Sequence, residues 1–209
     1  MKKLLHIIST PRGDDSRTLK VSEIFLEKLK NKYPACVVDT LNLFTDKIPS
    51  LTMKTVSGKY VLLGGKDLSG ELKEAWRDIG QQISRFLSAD AYLVSTPMWN
   101  FGIPYVLKNY IDVIVQPRYL FRYTEKGPEG LAKNKKMVII TSRGGDYSDA
   151  SPFHAYDYQE PYLRAVFNLV GITDITFVNA QPMDALGPDV AEEKIKKAQV
   201  LAAEIAGKF

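Results

Sequence analysis

The chain has 209 residues, 45% of them hydrophobic and 25% charged, which is ordinary globular usage. That length fits one domain, residues 1–209, and leaves little room for a second independent core. Its 28 basic and 24 acidic residues give a net charge of +4 without a dense Lys/Arg tract, which argues against nucleic acid as a partner, and no window is long and apolar enough to span a bilayer.

Leu4-Leu5-His6-Ile7-Ile8 is a short apolar run that predicts a buried strand ending in turn residues. His6 interrupts it, and no small-residue cleavage site follows, so it does not read as a signal peptide. Val21, Ile24, Phe25 and Leu29 recur at helical spacing. Val37-Val38 opens a second strand that runs towards Leu41, with Cys36 inside it as a small core residue. As the only cysteine, Cys36 can form neither an intramolecular disulfide nor a Cys-based metal site, which suits a reducing cytoplasm. A soluble, cytoplasmic protein is expected.

Leu72, Trp76, Ile79, Ile83, Phe86 and Leu87 mark a second helix, and Ala91 to Ser95 a third strand stopped by Pro97. Ile103, Val106, Leu107, Tyr110, Ile111 and Ile114 predict a strongly amphipathic helix with Pro104 in its first turn. Met137 to Thr141 is a very apolar fourth strand. Leu163, Val166, Phe167 and Val170 give another helix, closed by Gly171 at its C′ position. Ile175 to Val178 is the fifth strand, and Ala191, Ile195, Ala198, Ala202 and Ile205 line the last helix.

Five strands interleaved with five helices predict an α/β fold: a doubly wound five-stranded parallel sheet with helices on both faces. Five strands fit the flavodoxin-like order 2-1-3-4-5 better than the six-stranded dinucleotide order. Two polar stretches, Thr45 to Asp67 and Arg118 to Lys135, fall outside the rhythm and read as long loops.

In such sheets a ligand binds outside the C-terminal ends of the strands, at the switch point, which selects the loops after strands one, three and four. In the first loop, Ser9 to Thr18, hydroxyls at Thr10, Ser16 and Thr18 and the free amides of the next helix suit a terminal phosphate, with Arg12 and Arg17 adding charge. Ser16 also reads as a plain N-cap. No G-x-G-x-x-G follows the first strand, and Gly65-Lys66 lacks the rest of a P-loop. The second loop, Thr96-Pro97-Met98-Trp99-Asn100-Phe101-Gly102-Ile103-Pro104, sets apolar side chains on a rigid turn. Those residues form either the wall of a flat aromatic ligand or a plug for the core or a subunit contact. The third, Ser142-Arg143-Gly144-Gly145, exposes backbone N–H donors, as a simple turn also would.

Taken together, the three loops resemble the FMN-dependent NADH-azoreductase and NAD(P)H quinone reductase family. The resemblance extends through Leu107-Lys108 and Ile111-Asp112, Phe121 to Glu125, Gly127 to Leu131 and Gly171 to Asp174, so it covers nearly the whole chain. It implies that Thr10, Ser16, Arg17 and Thr18 bind the FMN phosphate and ribityl tail, with Ser9 and Arg12 in the same cofactor-binding loop. Pro97, Met98, Trp99, Asn100 and Phe101 would flank the isoalloxazine, and Ser142, Arg143, Gly144 and Gly145 its pyrimidine edge. Trp99, Phe121, Tyr147 and Leu169 are candidate walls of the substrate pocket. The family is homodimeric with both flavins at the interface, and reduces quinones and azo compounds with NADH or NADPH. A ping-pong cycle is expected, with no obligatory catalytic side chain, because the cofactor carries the chemistry.

A hydrolase would need a base beside a nucleophile. Only His6, inside the first strand, and His154, in the post-glycine loop, are available, and no G-x-S-x-G elbow appears. No clustered His or Cys suggests a metal site. The remaining alternative is a non-catalytic FMN electron-transfer protein. Flavodoxin-type carriers tend to be shorter and acidic, whereas this chain is mildly basic and has two long extra stretches.

Overall fold

Apolar runs rich in branched residues become strands covered on both sides, because a parallel sheet between helices leaves neither face to water. The structure, a computed structural model, describes residues 1–209. In chain order the elements are β1 (Lys3–Ile8), α1 (Arg17–Lys32), β2 (Val37–Asn42), α2 (Met53–Leu63), α3 (Gly70–Ala75), α4 (Arg77–Leu87), β3 (Ala91–Pro97), α5 (Tyr105–Ile114), β4 (Phe121–Thr124), β5 (Gly127–Gly130), β6 (Lys136–Ser142), α6 (Glu160–Leu169), β7 (Asp174–Ala180) and α7 (Pro188–Lys208). Five strands pair in parallel in the order β2-β1-β3-β6-β7, the expected flavodoxin-like arrangement.

Strand alternation divides the core in two. Leu4, Leu93, Val138, Ile140 and Val178 meet Val21, Phe25 and Leu29 of α1 and the alanines of α7. Leu5, Ile7, Tyr92, Val94, Met137 and Ile139 meet α4, α5 and α6 on the opposite face. Burying each large side chain stabilises by about 1.5–3 kcal/mol, so the two layers fix which helix covers which face. Because α1 and α5 return on opposite faces, the loops that leave the C-terminal ends of β1 and β3 diverge and frame a crevice above the strands. No helix is long and apolar enough to cross a membrane.

Several sequence expectations need correction. The second helix is two, α3 and α4, divided at Trp76. The Trp76 indole Nε1 donates to the Thr55 carbonyl at 2.9 Å and packs against Gly58, where a Cβ would come within 2.2 Å of the ring nitrogen. That packing also explains why Thr45 to Asp67 is no loop. It contains α2, opened by a capping box between Thr52 and Thr55. Arg118 to Lys135 contains the antiparallel hairpin β4–β5, extended by Leu131 N–H to Leu120 O and tied to the main body by Ala132 N–H to Val170 O. Cys36 lies just before β2 and is half-buried, and Pro104 is the N-cap of α5 rather than part of its first turn. Gly171 follows α6 with φ +99°, as its C′ assignment requires.

Candidate functional site

Ser9 and Thr10 are buried where β1 ends, and Ser9 is fixed by its N–H to the Ser95 carbonyl at 2.9 Å. Ser16 has extended backbone and caps α1, its Oγ accepting the Leu19 N–H at 3.3 Å. The N–H groups of Arg17 and Thr18 have no acceptor in the protein. Free amides at the positive end of a sixteen-residue helix favour an anion. The Arg17 guanidinium reaches Asp184 at 2.6 Å, whereas Arg12 is exposed with no carboxylate partner. Thr18 Oγ1 lies 2.7 Å from Ser142 Oγ, so the first and third loops are tied together.

The second loop is tight. Trp99 and Gly102 exchange N–H···O bonds of 3.0 Å, leaving Asn100 and Phe101 as the two central residues, both left-handed at φ 48° and 68°. This is the geometry of a primed two-residue turn, which favours Gly. Holding ordinary residues there costs on the order of 1 kcal/mol or more each, and such strain clusters at ligand sites. The N–H groups of Asn100 and Phe101 have no acceptor in the protein. Aromatic rings flank them on both sides. Trp99 lies edge-on to Phe44, which meets Tyr105, while Phe101 meets Tyr147 and Tyr156.

In the third loop, Met98 N–H donates to the Ser142 carbonyl at 2.9 Å, and the N–H groups of Gly144 and Gly145 are again free. Gly144 lies close to the Asp184 side chain: a Cβ there would stand 3.0 Å from its Oδ2, so the carboxylate would have to give way slightly. Arg143 lines the same cleft, with its side chain turned inward. Its guanidinium is buried and bonded to Gln159 and Asp157, with Glu160 at 3.7 Å, rather than offered to a ligand. Burial pushes its pKa below the ordinary guanidinium value, with the Asp157 and Glu160 carboxylates acting in the opposite direction. The Arg143 backbone is engaged too, the N–H donating to the Ala180 carbonyl at 3.0 Å and the carbonyl accepting the Met183 N–H at 2.9 Å.

Thr10, Arg12, Ser16, Arg17, Pro97, Met98, Trp99, Ser142, Arg143 and Gly144 line one cleft. Met183 and Asp184 line it too, and sequence reasoning missed them. They follow β7, and the rule that selects loops at strand C-termini reaches this loop as well. Tyr147 is half-buried beside Gly145 and lines a neighbouring cavity that shares Arg143 with the cleft. Two anticipated pocket residues are not brought there. Leu169 ends α6, a crossover helix that runs back towards the N-terminal ends of the strands, close to where β7 begins. Phe121 is buried at the base of the β4–β5 hairpin, edge-on to Tyr123.

Beneath the cleft, His6 Nε2 lies 2.8 Å from Ser95 Oγ, which meets Ser22 Oγ at 2.6 Å, and Ser22 donates to the Thr18 carbonyl. This buried chain fastens α1 to the sheet. Burial pushes the His6 pKa down from 6.5 to about 4. The unfolded chain therefore takes up this proton below about pH 6.5 and the folded protein only near 4, so stability present above pH 6.5 is lost across that window. His6 should account for about 2 kcal/mol of lost stability between pH 7 and 4.5. Urea unfolding of the wild type and His6→Gln at both pH values checks this. A variant with the full wild-type loss would assign the effect to carboxylates.

The donors separate into two groups. One is an anion-seeking helix end with hydroxyls. The other is a set of free amides from two loops between aromatic walls. A ligand with an anionic tail and a flat, polar-edged ring fits both, and FMN has that chemistry.

The chain matches the family model Flavodoxin_2, described as flavodoxin-like fold, over residues 2–205. It is 34% identical over 209 residues, covering 100% of both chains, to an FMN-dependent NADH:quinone oxidoreductase of Nitratidesulfovibrio vulgaris. A protein of the same name from Rhizobium meliloti is 40% identical over 205 residues, covering 97% of this chain and 96% of its own. Among solved structures, an azoreductase from Bacillus anthracis superposes with a TM-score of 0.90 at 30% identity, covering 100% of both chains. An FMN-dependent NADH-azoreductase from the same species, in complex with FMN, gives 0.84 at 32% identity, covering 99% of this chain and 100% of its own.

Proposed function

The chain belongs to the Flavodoxin_2 family of flavodoxin-like fold, and from that premise we propose that it is an FMN-dependent oxidoreductase, taking electrons from NADH or NADPH and passing them to quinones or azo compounds. The observation that carries this reading is one cleft lined by three loops, in which Arg17 of the α1 N-terminus and Gly144 of the glycine loop have free amides and Trp99 leads into the left-handed Asn100–Phe101 turn. Thr10, Ser16, Arg17 and Thr18 hold the phosphate and ribityl tail. Met98 to Phe101 flank the ring, and the backbone of Ser142 to Gly145 meets its pyrimidine edge. Bound there, FMN supplies the two-electron chemistry that no side chain of the cleft provides.

The protein's own part is to orient and to exclude water. Trp99 and Tyr147 stand on either side of the ring-side turn as walls for flat aromatic substrates. The exposed ring of Trp99, with those of Phe101, Tyr105, Phe153, Tyr156 and Tyr158, is also the surface that a second copy covers in a two-fold dimer.

Donor and acceptor use the same walls in turn, so they exclude each other. Initial rates with NADH and menadione are therefore expected to give parallel double-reciprocal lines, the mark of a ping-pong cycle. Intersecting lines would mean that both substrates bind at once, and would end the shared-site mechanism. A protein that fails to oxidise NADH without an added reductase would instead be an electron carrier.

A further inference from the structure

A buried polar strut lies beneath the ring-side loops, and the roles assigned above leave it unexplained. Arg143 is among the largest fully buried side chains in the chain. A charge so placed persists only where it is paired and hydrogen-bonded. Its Nε donates to Gln159 Oε1 at 3.1 Å and its Nη1 to Asp157 Oδ2 at 2.8 Å. Gln159, fully buried as well, extends the chain of bonds: its Nε2 donates to the Pro97 carbonyl at 2.8 Å. Asp157 Oδ1 accepts the N–H groups of Gln159 and Glu160 at 2.9 and 3.0 Å, which fixes the start of α6.

The network's endpoints are the important feature. Pro97 opens the loop that carries Met98 to Phe101, and Arg143 belongs to the glycine loop by its backbone. One guanidinium and one amide thus brace, beyond the single Met98 N–H to Ser142 O bond at their start, two loops that line the same cleft. The amide at position 159 is chemically specific: it accepts from Arg143 with its oxygen and donates to Pro97 with its nitrogen. No member of the strut lies in the Thr10 to Thr18 loop.

We infer that Arg143, Asp157 and Gln159 are positioning residues that set ring-edge recognition by holding the 97–101 and 142–145 loops at a fixed separation, through side chains that do not touch the ligand. This rests on the flavin reading above. Ring affinity then depends on the strut, while the contribution of the phosphate does not.

The test uses full-length protein stripped of flavin, titrated with FMN and with riboflavin by fluorescence quenching, with the reduction potential of bound FMN measured beside it. Gln159→Glu keeps the acceptor for Arg143 but turns the donor facing Pro97 into a repelling oxygen. It should raise the dissociation constants for FMN and riboflavin by the same factor, about tenfold, as expected for one strong hydrogen bond replaced by repulsion, and it should shift the potential. Asp157→Asn keeps the cap on α6 while removing the charge that anchors Arg143, and should raise both constants together by a smaller factor. It also keeps the test decisive should Gln159→Glu fail to fold. Unchanged affinities and potential in a folded variant, whatever its melting temperature, would reduce the strut to a stabilising element and overturn the inference. So would a rise confined to FMN. A wild-type protein that binds neither flavin overturns the cofactor reading itself, an outcome visible before any variant is made.

Discussion

Stripped of its flavin, the protein should bind FMN on the order of 100-fold more tightly than riboflavin. The two ligands differ only in the phosphate, so the ratio isolates one end of the cleft. There the N–H groups of Arg17 and Thr18 are free, and the hydroxyls of Thr10, Ser16 and Thr18 are buried around them. Hydrogen bonds to a charged group contribute about 1.5–3 kcal/mol each, and two such bonds account for the factor. Two features hold the ratio down. Arg17 already pairs with Asp184, and Thr18 Oγ1 already meets Ser142. Replacing both Ser16 and Thr18 with Ala should remove most of the preference and leave riboflavin binding nearly unchanged. Loss of the Ser16 cap will also lower stability by about 1 kcal/mol, so binding must be measured well below the melting temperature. Raising salt should weaken FMN and spare riboflavin. Equal affinity for the two flavins would remove the Thr10 to Thr18 loop from any role in phosphate binding.

The sheet was legible because its strands announce themselves chemically. Met137 to Thr141 has no polar face, and only a strand covered by helices on both sides accommodates that. Helix α2 escaped notice for the opposite reason. Its inward positions are Thr55, Gly58 and Leu62, while Met53, Val56, Tyr60 and Leu63 face water, so its apolar periodicity points the wrong way. Only the Thr52–Thr55 capping pair marked it. The hairpin was hidden by Gly127-Pro128-Glu129-Gly130, a composition that reads as loop until register pairs it with Phe121 to Thr124. Loop positions could be assigned to the cleft, but side-chain directions could not. Arg143 sits in a glycine loop at a ligand-facing position, and nothing local signals that Asp157 and Gln159 draw its guanidinium away. Leu169 lies away from the cleft lining because a crossover helix that starts near the C-terminal ends of the strands finishes near their N-terminal ends.

Dilution should dissociate the protein, release FMN and abolish turnover together. The expectation rests on a surface a monomer leaves wet. Trp99, Phe101, Tyr105, Phe153, Tyr156 and Tyr158 are all exposed, and ring contacts join Trp99 to Tyr105 through Phe44, and Phe101 to Phe153 through Tyr156. Phe121 is buried by its own chain and adds nothing to this surface. Burying each exposed ring in an interface stabilises by about 1.5–3 kcal/mol before the cost of association, and aromatic patches of this kind mark interaction sites. A closed two-fold arrangement covers the same patch on both copies and completes both clefts at once. Phe153 stands outside the cleft lining yet within the patch, so Phe153→Glu tests the interface without touching the ligand loops. That charge should weaken the dimer at least tenfold, with FMN retention and NADH–menadione activity falling at the same protein concentrations. The measurement is sedimentation across a dilution series, with flavin fluorescence and activity read on the same samples. A monomer that keeps its FMN and its full activity would show that one chain completes the pocket alone.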